Sequence, residues 1–193
     1  MYICMLKIFF TASYYGKRKY QRYYNLVLRE IEKFDVEVIG TEKGNYLKIL
    51  SKKEIDRIND KKIVHYEAIR KGILWSDIVI IEISQQDFQL GHEATLAIMS
   101  KKHVLCLSLF ENFEEKIKND FFHGALYNEV TLPVVIKKFL NDIKGNRYSE
   151  RFNCFLAPDQ LKYLEEISTE EKLNKSEYIR KLINEDKKIR LNN

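Results

Sequence analysis

The residues best placed to do chemistry are Glu93 and the polar run before it, SQQDFQLGHE, from Ser84 to Glu93. Glu93 follows Gly91 and His92, and Asp87 stands six residues earlier. Read as a helix opening on Gly91, the run puts a carboxylate in a first turn, where the helix dipole favours its charged form. The glycine beside it would let a ligand approach the backbone. Its side chain is expected to aim into an open hollow at the edge of a sheet. Most acids in first turns only complement the dipole, so the surrounding elements have to decide between the two roles.

Those elements are legible on either side. Ile78 to Ile83 is a short apolar, β-branched run interrupted by Glu82, and Val104 to Leu107 is another, so both fit interior strands of a parallel sheet. The segment between parallel strands must cross over as a helix. Small ligands in such sheets sit beyond the carboxyl ends of the strands, where the loop after Ile83 delivers Gln85, Gln86, Asp87 and then Glu93. Glu82, an acid inside a buried strand, needs a partner such as a lysine or a backbone donor. Asp77, between a helix and a strand, is expected to be structural.

Earlier in the chain, Leu6 to Thr11 reads as the first strand, and the turn Ala12 to Gly16 leads into a helix with Tyr20, Tyr24, Val27, Ile31 and Phe34 on one face. That periodicity accounts for most tyrosines of YYGKRKYQRYY as packing rather than as base-stacking platforms. Tyr14 and Tyr15 precede the helix and stand at the mouth of strand one, where a base or sugar could lie. Val36 to Ile39 is the second strand. Ser51 and Glu54 form a capping-box pattern that opens a helical stretch with breaks to Trp75. A fifth strand is expected near Leu126 to Val130, followed by a helix started by Thr131 with Pro133 in its first turn and ending near Gly145-Asn146. The alternation gives an α/β domain over residues 1–146, with a five-stranded doubly wound, flavodoxin- or Rossmann-like parallel sheet.

Residues 147–193 have a different grammar. RFNCFLAPDQLKYLEEIS gives a short strand and then a helix begun by Pro158 with Leu161, Leu164 and Ile167 on one face. A second helix follows, with Asn174 and Glu177 as its capping box and Ile179, Leu182 and Ile183 inward. One strand and two short helices cannot close a core alone, and a second copy would supply the missing half.

Composition narrows the function classes. The chain has 193 residues, is 45% apolar and carries a net charge of +5 from 33 basic and 28 acidic residues spread along its length. A disordered chain is excluded, and the charge alone does not indicate nucleic acid. Cys4, Cys106 and Cys154 lack metal-type spacing and read as reduced thiols of a cytoplasmic protein, so no metal and no cofactor are expected. MYICMLKIFF lacks a basic leader and a cleavage site, and no apolar run of about 18 residues exists to span a bilayer. His65, His103 and His123 are expected to be bystanders.

The run from Asp77 through SQQDFQLGHEATLA, together with FFTASYYGK after strand one, resembles the nucleoside 2-deoxyribosyltransferase superfamily, which includes deoxynucleoside monophosphate N-glycosidases. The resemblance extends loosely over residues 6 to about 143. It implies that Glu93 is a nucleophile attacking the anomeric carbon of a nucleoside or nucleotide, giving a glycosyl-enzyme ester that passes the sugar to another base or to water. It also implies that Thr11, Ser13, Tyr14, Asp87, Gly91 and His92 contact substrate. An anion at Asp87 would repel a phosphate, which favours an unphosphorylated substrate. Where the superfamily carries an Asp on the helix before the central strand, this chain has Ile69, with Glu67 the nearest acid.

The tail resembles ribbon-helix-helix proteins, whose two chains pair their strands into a ribbon that enters the DNA major groove. That implies a homodimer or higher homo-oligomer, with DNA as a further partner. Phe152, Cys154 and Leu156 would then point inward and Arg151, Asn153 and Phe155 outward. Arg151 and Asn153 would read bases, and Lys175 and Ser176, after Asn174, would clamp phosphate at the second helix start. Ten Lys and Arg against nine Asp and Glu from Arg147 to Asn193 are a thin endowment for phosphate neutralisation. The alternative to an enzyme is therefore a non-catalytic, nucleotide-sensing regulator that binds DNA through this tail.

Overall fold

A computed structural model describes residues 5–145 and 152–191. Cys4 and Arg151 lie outside the described residues. The chain divides into two compact units, Met1–Arg147 and Tyr148–Asn193.

The first unit is an α/β domain whose five parallel strands lie in the order β2-β1-β3-β4-β5. They are β1 (Leu6–Ala12), β2 (Val36–Gly40), β3 (Ile78–Glu82), β4 (His103–Ser108) and β5 (Phe122–Leu126). Helices α1 (Lys17–Ile31), α2 (Lys52–Ile58), α3 (Lys61–Trp75), α4 (Phe88–Met99) and α5 (Leu132–Gly145) flank them. Alternation along the strands sends side chains to two cores. Ile8, Phe10, Ile78, Ile80, Leu105 and Leu107 pack with Val27 and Ile31 of α1 and Ile136 and Leu140 of α5. Phe9, Val79, Ile81, Val104 and Cys106 face the other way, against Ile69 and Ile73 of α3 and Leu90 and Ala97 of α4. Burial on both faces is why these strands read as unbroken apolar runs.

Helix α3 lies so close to the sheet that a β-carbon on Gly72 would stand 2.4 Å from the Phe9 ring. Asp77 is structural as expected, because its Oδ2 accepts from Lys7 N at 2.9 Å and its own N–H donates to Lys7 O at 2.8 Å, tying β3 to β1. Ser51 and Glu54 form the reciprocal capping box of α2.

Two elements differ from expectation. The fifth strand is Phe122–Leu126, four residues earlier than the expected Leu126 to Val130 run, of which residues 127–130 form instead the turn into α5. Turn geometry prevails there, since Asn128 Oδ1 accepts from the N–H groups of Val130 and Thr131. Helix α4 starts at Phe88 rather than Gly91. Asp87 is its N-cap and accepts from Leu90 N at 2.9 Å, so the polar run held a cap that the glycine obscured.

The second unit holds α6 (Pro158–Glu170) and α7 (Lys175–Leu191). Leu164, Ser168 and Tyr178 are buried between them. The Asn174–Glu177 capping box forms, with Glu177 N donating to Asn174 Oδ1 at 3.0 Å and Asn174 N to Glu177 Oε2 at 2.8 Å. Leu161, Leu182 and Ile183, expected inward, are exposed. The described residues 152–157 make no strand, and Phe152, Phe155 and Leu156 are exposed there. A ribbon strand needs a second strand to pair with, which one chain cannot supply.

Candidate active site

The strand order reverses between β1 and β3, since β1 runs into α1 on one face and β3 into α4 on the other. A crevice is expected beyond their carboxyl ends. A cavity of about 330 Å³ opens there. Thr11, Ser13, Tyr14 and Tyr15 wall it from the end of β1, Thr41 and Glu42 from the end of β2, and Asp87, Gln89 and Leu90 from α4. Lys17, Tyr46 and His65 complete it.

Glu93 is the sixth residue of α4, a full turn deeper than the helix start, and is only 2% exposed. It does not wall the cavity itself; its neighbours Thr11 and Gln89 do. The carboxylate expected in an open hollow is thus enclosed directly behind one. Its Oε1 accepts from Gln89 Nε2 at 2.8 Å. Oε2 has no hydrogen-bond partner among the described residues. The Thr11 hydroxyl near it favours the charged form but lies 3.3 Å from Thr41 Oγ1. Burial pushes the carboxyl up to about 7, Gln89 and Thr11 pull it back, and the Asp87 charge adds to the rise. The dipole argument for an ionised Glu93 is replaced by a burial argument for a carboxyl that shares its proton near neutrality.

The remaining expected contacts divide. Thr11, Ser13, Tyr14 and Asp87 wall the cavity. Gly91 and His92 do not: both are exposed on the outer side of α4, where His92 stacks on Tyr66 with ring centroids 5.9 Å apart. Starting the helix at Phe88 rotates them away. In the second unit Asn153 and Ser176 are exposed, and Lys175 pairs with Glu165 at 2.6 Å.

Two residues of the site were missed by sequence: Glu42 was not singled out, and His65 was expected to be a bystander. Glu42, with a side chain 1% exposed, lies 3.1 Å from Lys17 Nζ and accepts from Gln21 Nε2 at 2.8 Å. It follows β2, the neighbour of β1, so the topological rule that marked the loop after β3 applied equally to it. His65 shares a face of α3 with buried Ile69 and Ile73 at helical spacing, one turn nearer the cavity. Its Nδ1 lies 2.9 Å from Tyr46 Oη, and its Nε2 lies 3.5 Å from Gln89 Nε2. Ile69, where the resemblance calls for an Asp, is core, and Glu67 is bound to Arg70.

Glu82 satisfies its buried carboxylate without a lysine, accepting from the expected backbone donor, Ser84 N at 3.4 Å, and from two hydroxyls, Ser84 Oγ and, at 3.0 Å, Tyr127 Oη. Burial raises it to about 7. A larger hollow of about 630 Å³, walled by Tyr20, Tyr23, Phe110 and Tyr127, contains no orphaned buried polar atom. Such atoms are rare in folded proteins. Among the described residues they are Ser13 Oγ, Tyr24 Oη and Glu93 Oε2, with Glu42 Oε1 held only by its ion pair to Lys17 at 3.1 Å; Ser13 and Glu42 wall the smaller cavity, and Glu93 lies behind its wall residue Gln89.

No protein-family model matches the chain. The chain is 26% identical over 120 residues to 5-hydroxymethyl-dUMP N-hydrolase of Danio rerio, spanning 62% of this chain and 79% of that one. A nucleotide N-hydrolase as a relative agrees with the superfamily resemblance. Among solved structures, the Clostridium botulinum CMP N-glycosidase has 14% identity and a TM-score of 0.44, covering 69% of this chain and 98% of its own. A de novo designed Rossmann 2x3 protein has 17% identity and a TM-score of 0.42, covering 78% and 100%. Among the described residues, no helix is long and apolar enough to cross a membrane.

Proposed function

We propose that the chain cleaves the N-glycosidic bond of a nucleoside or nucleotide, with Glu93 as nucleophile and Asp87 beside the substrate. The observation that carries this reading is a pair of buried polar atoms with no hydrogen-bond partner among the described residues, Ser13 Oγ on the wall of one cavity beside the strand-order reversal and Glu93 Oε2 behind it. A polar ligand would satisfy groups that otherwise cost stability. The relative's activity supports this bond type. Gln89 is a solvent-facing residue of α4 whose amide covers the carboxylate. A sugar hydroxyl can take the place of that amide and bring the anomeric carbon against Oε2. The ionised carboxylate then stabilises the developing positive charge and bonds to it, as the base leaves. Water or a second base releases the sugar.

The cavity contains two carboxylates, Asp87 and Glu42, against one ammonium, Lys17, which is already paired. That balance favours nucleosides, whereas the relative is named for a monophosphate. The deciding experiment incubates the protein with deoxynucleosides, ribonucleosides and their 5′-monophosphates and measures free base by chromatography. Base release that is lost in Glu93→Ala supports the assignment. Undiminished release in that variant, or no release from any substrate, overturns it.

We further propose that residues 147–193 join a second copy. Phe152, Phe155, Leu182 and Ile183 stay exposed in the single chain, apolar surface that a second copy would bury. Sedimentation should show a dimer that Leu182→Glu dissociates. The sensor alternative rests on the same surface, and requires duplex binding that weakens steeply with salt and is lost in Arg151→Ala.

A further inference from the structure

The cavity contains an imidazole that the reading above does not use. His65 is a cavity-wall residue with its two ring nitrogens in different surroundings. Tyr46 Oη holds Nδ1 at 2.9 Å, and the two rings pack edge to face with centroids 5.3 Å apart. Nε2 is directed at Gln89, whose amide nitrogen is also 2.8 Å from Glu93 Oε1. With Gln89 donating to both, Nε2 is the basic nitrogen and Nδ1–H donates to Tyr46. Tyr46, His65, Gln89 and Glu93 therefore form one chain of contacts ending at the proposed nucleophile. The contact at 3.5 Å is weak, so Nε2 can exchange it for a ligand at little cost.

Resting on the glycosidase reading, we propose that His65 is the general acid and base of the reaction, trading a proton between its Nε2 and the departing base or the incoming water. As a Glu93 oxygen bonds to the anomeric carbon, the carbon–nitrogen bond breaks and its electron pair goes to the base. Protonated His65 gives its Nε2 proton to that base and becomes neutral. In the second half, water attacks the anomeric carbon and gives a proton to Nε2. As the water oxygen bonds, the ester bond breaks and its electron pair returns to the Glu93 carboxylate, restoring the starting protonation. Tyr46 is a positioning residue that fixes the ring.

The charged and titratable groups around His65 are Tyr46, Asp87 and Glu93 nearby and Glu42 and Lys17 across the cavity. Burial lowers the imidazole's proton affinity, while it raises that of Glu93. The reactive form, a charged Glu93 with a protonated His65, therefore places the proton on the imidazole rather than on the carboxyl, against the preference that burial gives each group.

The test compares a base that needs a proton to leave with one that does not. Deoxyguanosine and 7-methyldeoxyguanosine, each with and without a 5′-phosphate, serve as substrates, because the methylated base departs as a neutral molecule. His65→Gln should lower kcat/KM for the guanine substrates by about 100-fold or more and change the 7-methylguanine substrates less than about fivefold. The wild-type pH profile gives a second readout without mutation. It should fall on the alkaline side for guanine substrates, and that limb should be absent for 7-methylguanine substrates. Equal losses on both bases, or matching alkaline limbs, overturn the role of His65 while leaving the glycosidase reading intact. If the wild-type protein cleaves neither base, the reading beneath it fails as well. Tyr46→Phe should shift the alkaline limb with kcat reduced less than in His65→Gln.

Discussion

Gln89 and Glu93, one turn apart on α4, are joined by a 2.8 Å hydrogen bond from the Gln89 amide to Glu93 Oε1. The bond closes the front of a carboxylate whose other oxygen has no partner among the described residues. Replacing Gln89 with Ala removes a donor that favours the charged form and also opens the carboxylate to water. Burial is the larger influence on Glu93. With a 7-methylguanine substrate, whose base needs no proton, the acid limb of the pH–rate profile reports Glu93 and should therefore move to lower pH in Gln89→Ala, with turnover retained; an upward move would show that the amide outweighs desolvation.

Glu93 also makes stability depend on pH. Its folded-state value is raised from 4.5 to about 7, so below 4.5 the carboxyl is protonated in both states and costs nothing. The cost grows as pH rises through that window and is complete above about 7, reaching on the order of 3 kcal/mol at most. Glu93→Gln should therefore gain stability over the wild type at pH 8 and little at pH 5, by urea denaturation. An equal effect at both pH values would contradict the burial of a shared proton.

Much of the scaffold behind that carboxylate was legible. The apolar runs Ile78 to Ile83 and Val104 to Leu107 marked interior strands because both faces of a parallel sheet are covered. The helix start was misplaced because Gly91 was read as the opening, whereas the Asp87 cap lies four residues before it. That shift moved Gly91 and His92 out of the site and Glu93 into the interior. His65 was read as a bystander, and Glu42 was passed over, for another reason. Their roles depend on which strands and helices are neighbours, and neither Glu42 after β2 nor His65 on α3 stands in a local pattern that says so. The tail shows the same limit, since the pairing of residues 151–156 would be completed by a second chain.

Asp87 combines two tasks that substitution can separate. Its carboxylate caps Leu90 N and also walls the cavity. Asp87→Ser keeps a capping oxygen and removes the charge, so stability should change by less than about 1 kcal/mol. Removal of the anion should raise kcat/KM for 5′-monophosphates relative to nucleosides, by roughly tenfold. A parallel change for both substrate types would mean that no phosphate approaches this carboxylate.

Tyr127 supports the second buried acid. Its hydroxyl donates to Glu82 Oε1 at 3.0 Å, and burial holds Glu82 near 7. Tyr127→Phe should destabilise the domain by about 1–3 kcal/mol at pH 8, where Glu82 is charged and needs the donor. At pH 5 Glu82 is protonated in the folded state, and the loss should shrink. A loss independent of pH would point to packing rather than to the hydrogen bond.

The covalent step at Glu93 can be observed directly. A substrate carrying fluorine at the sugar 2-position slows breakdown of a glycosyl-enzyme, so the intact protein should gain the mass of one sugar, and digestion should place that mass on the peptide containing Glu93. Base release from such a substrate with the sugar found on another residue, or with no adduct in the wild type while Glu93→Ala still turns over, would contradict a nucleophile at this position.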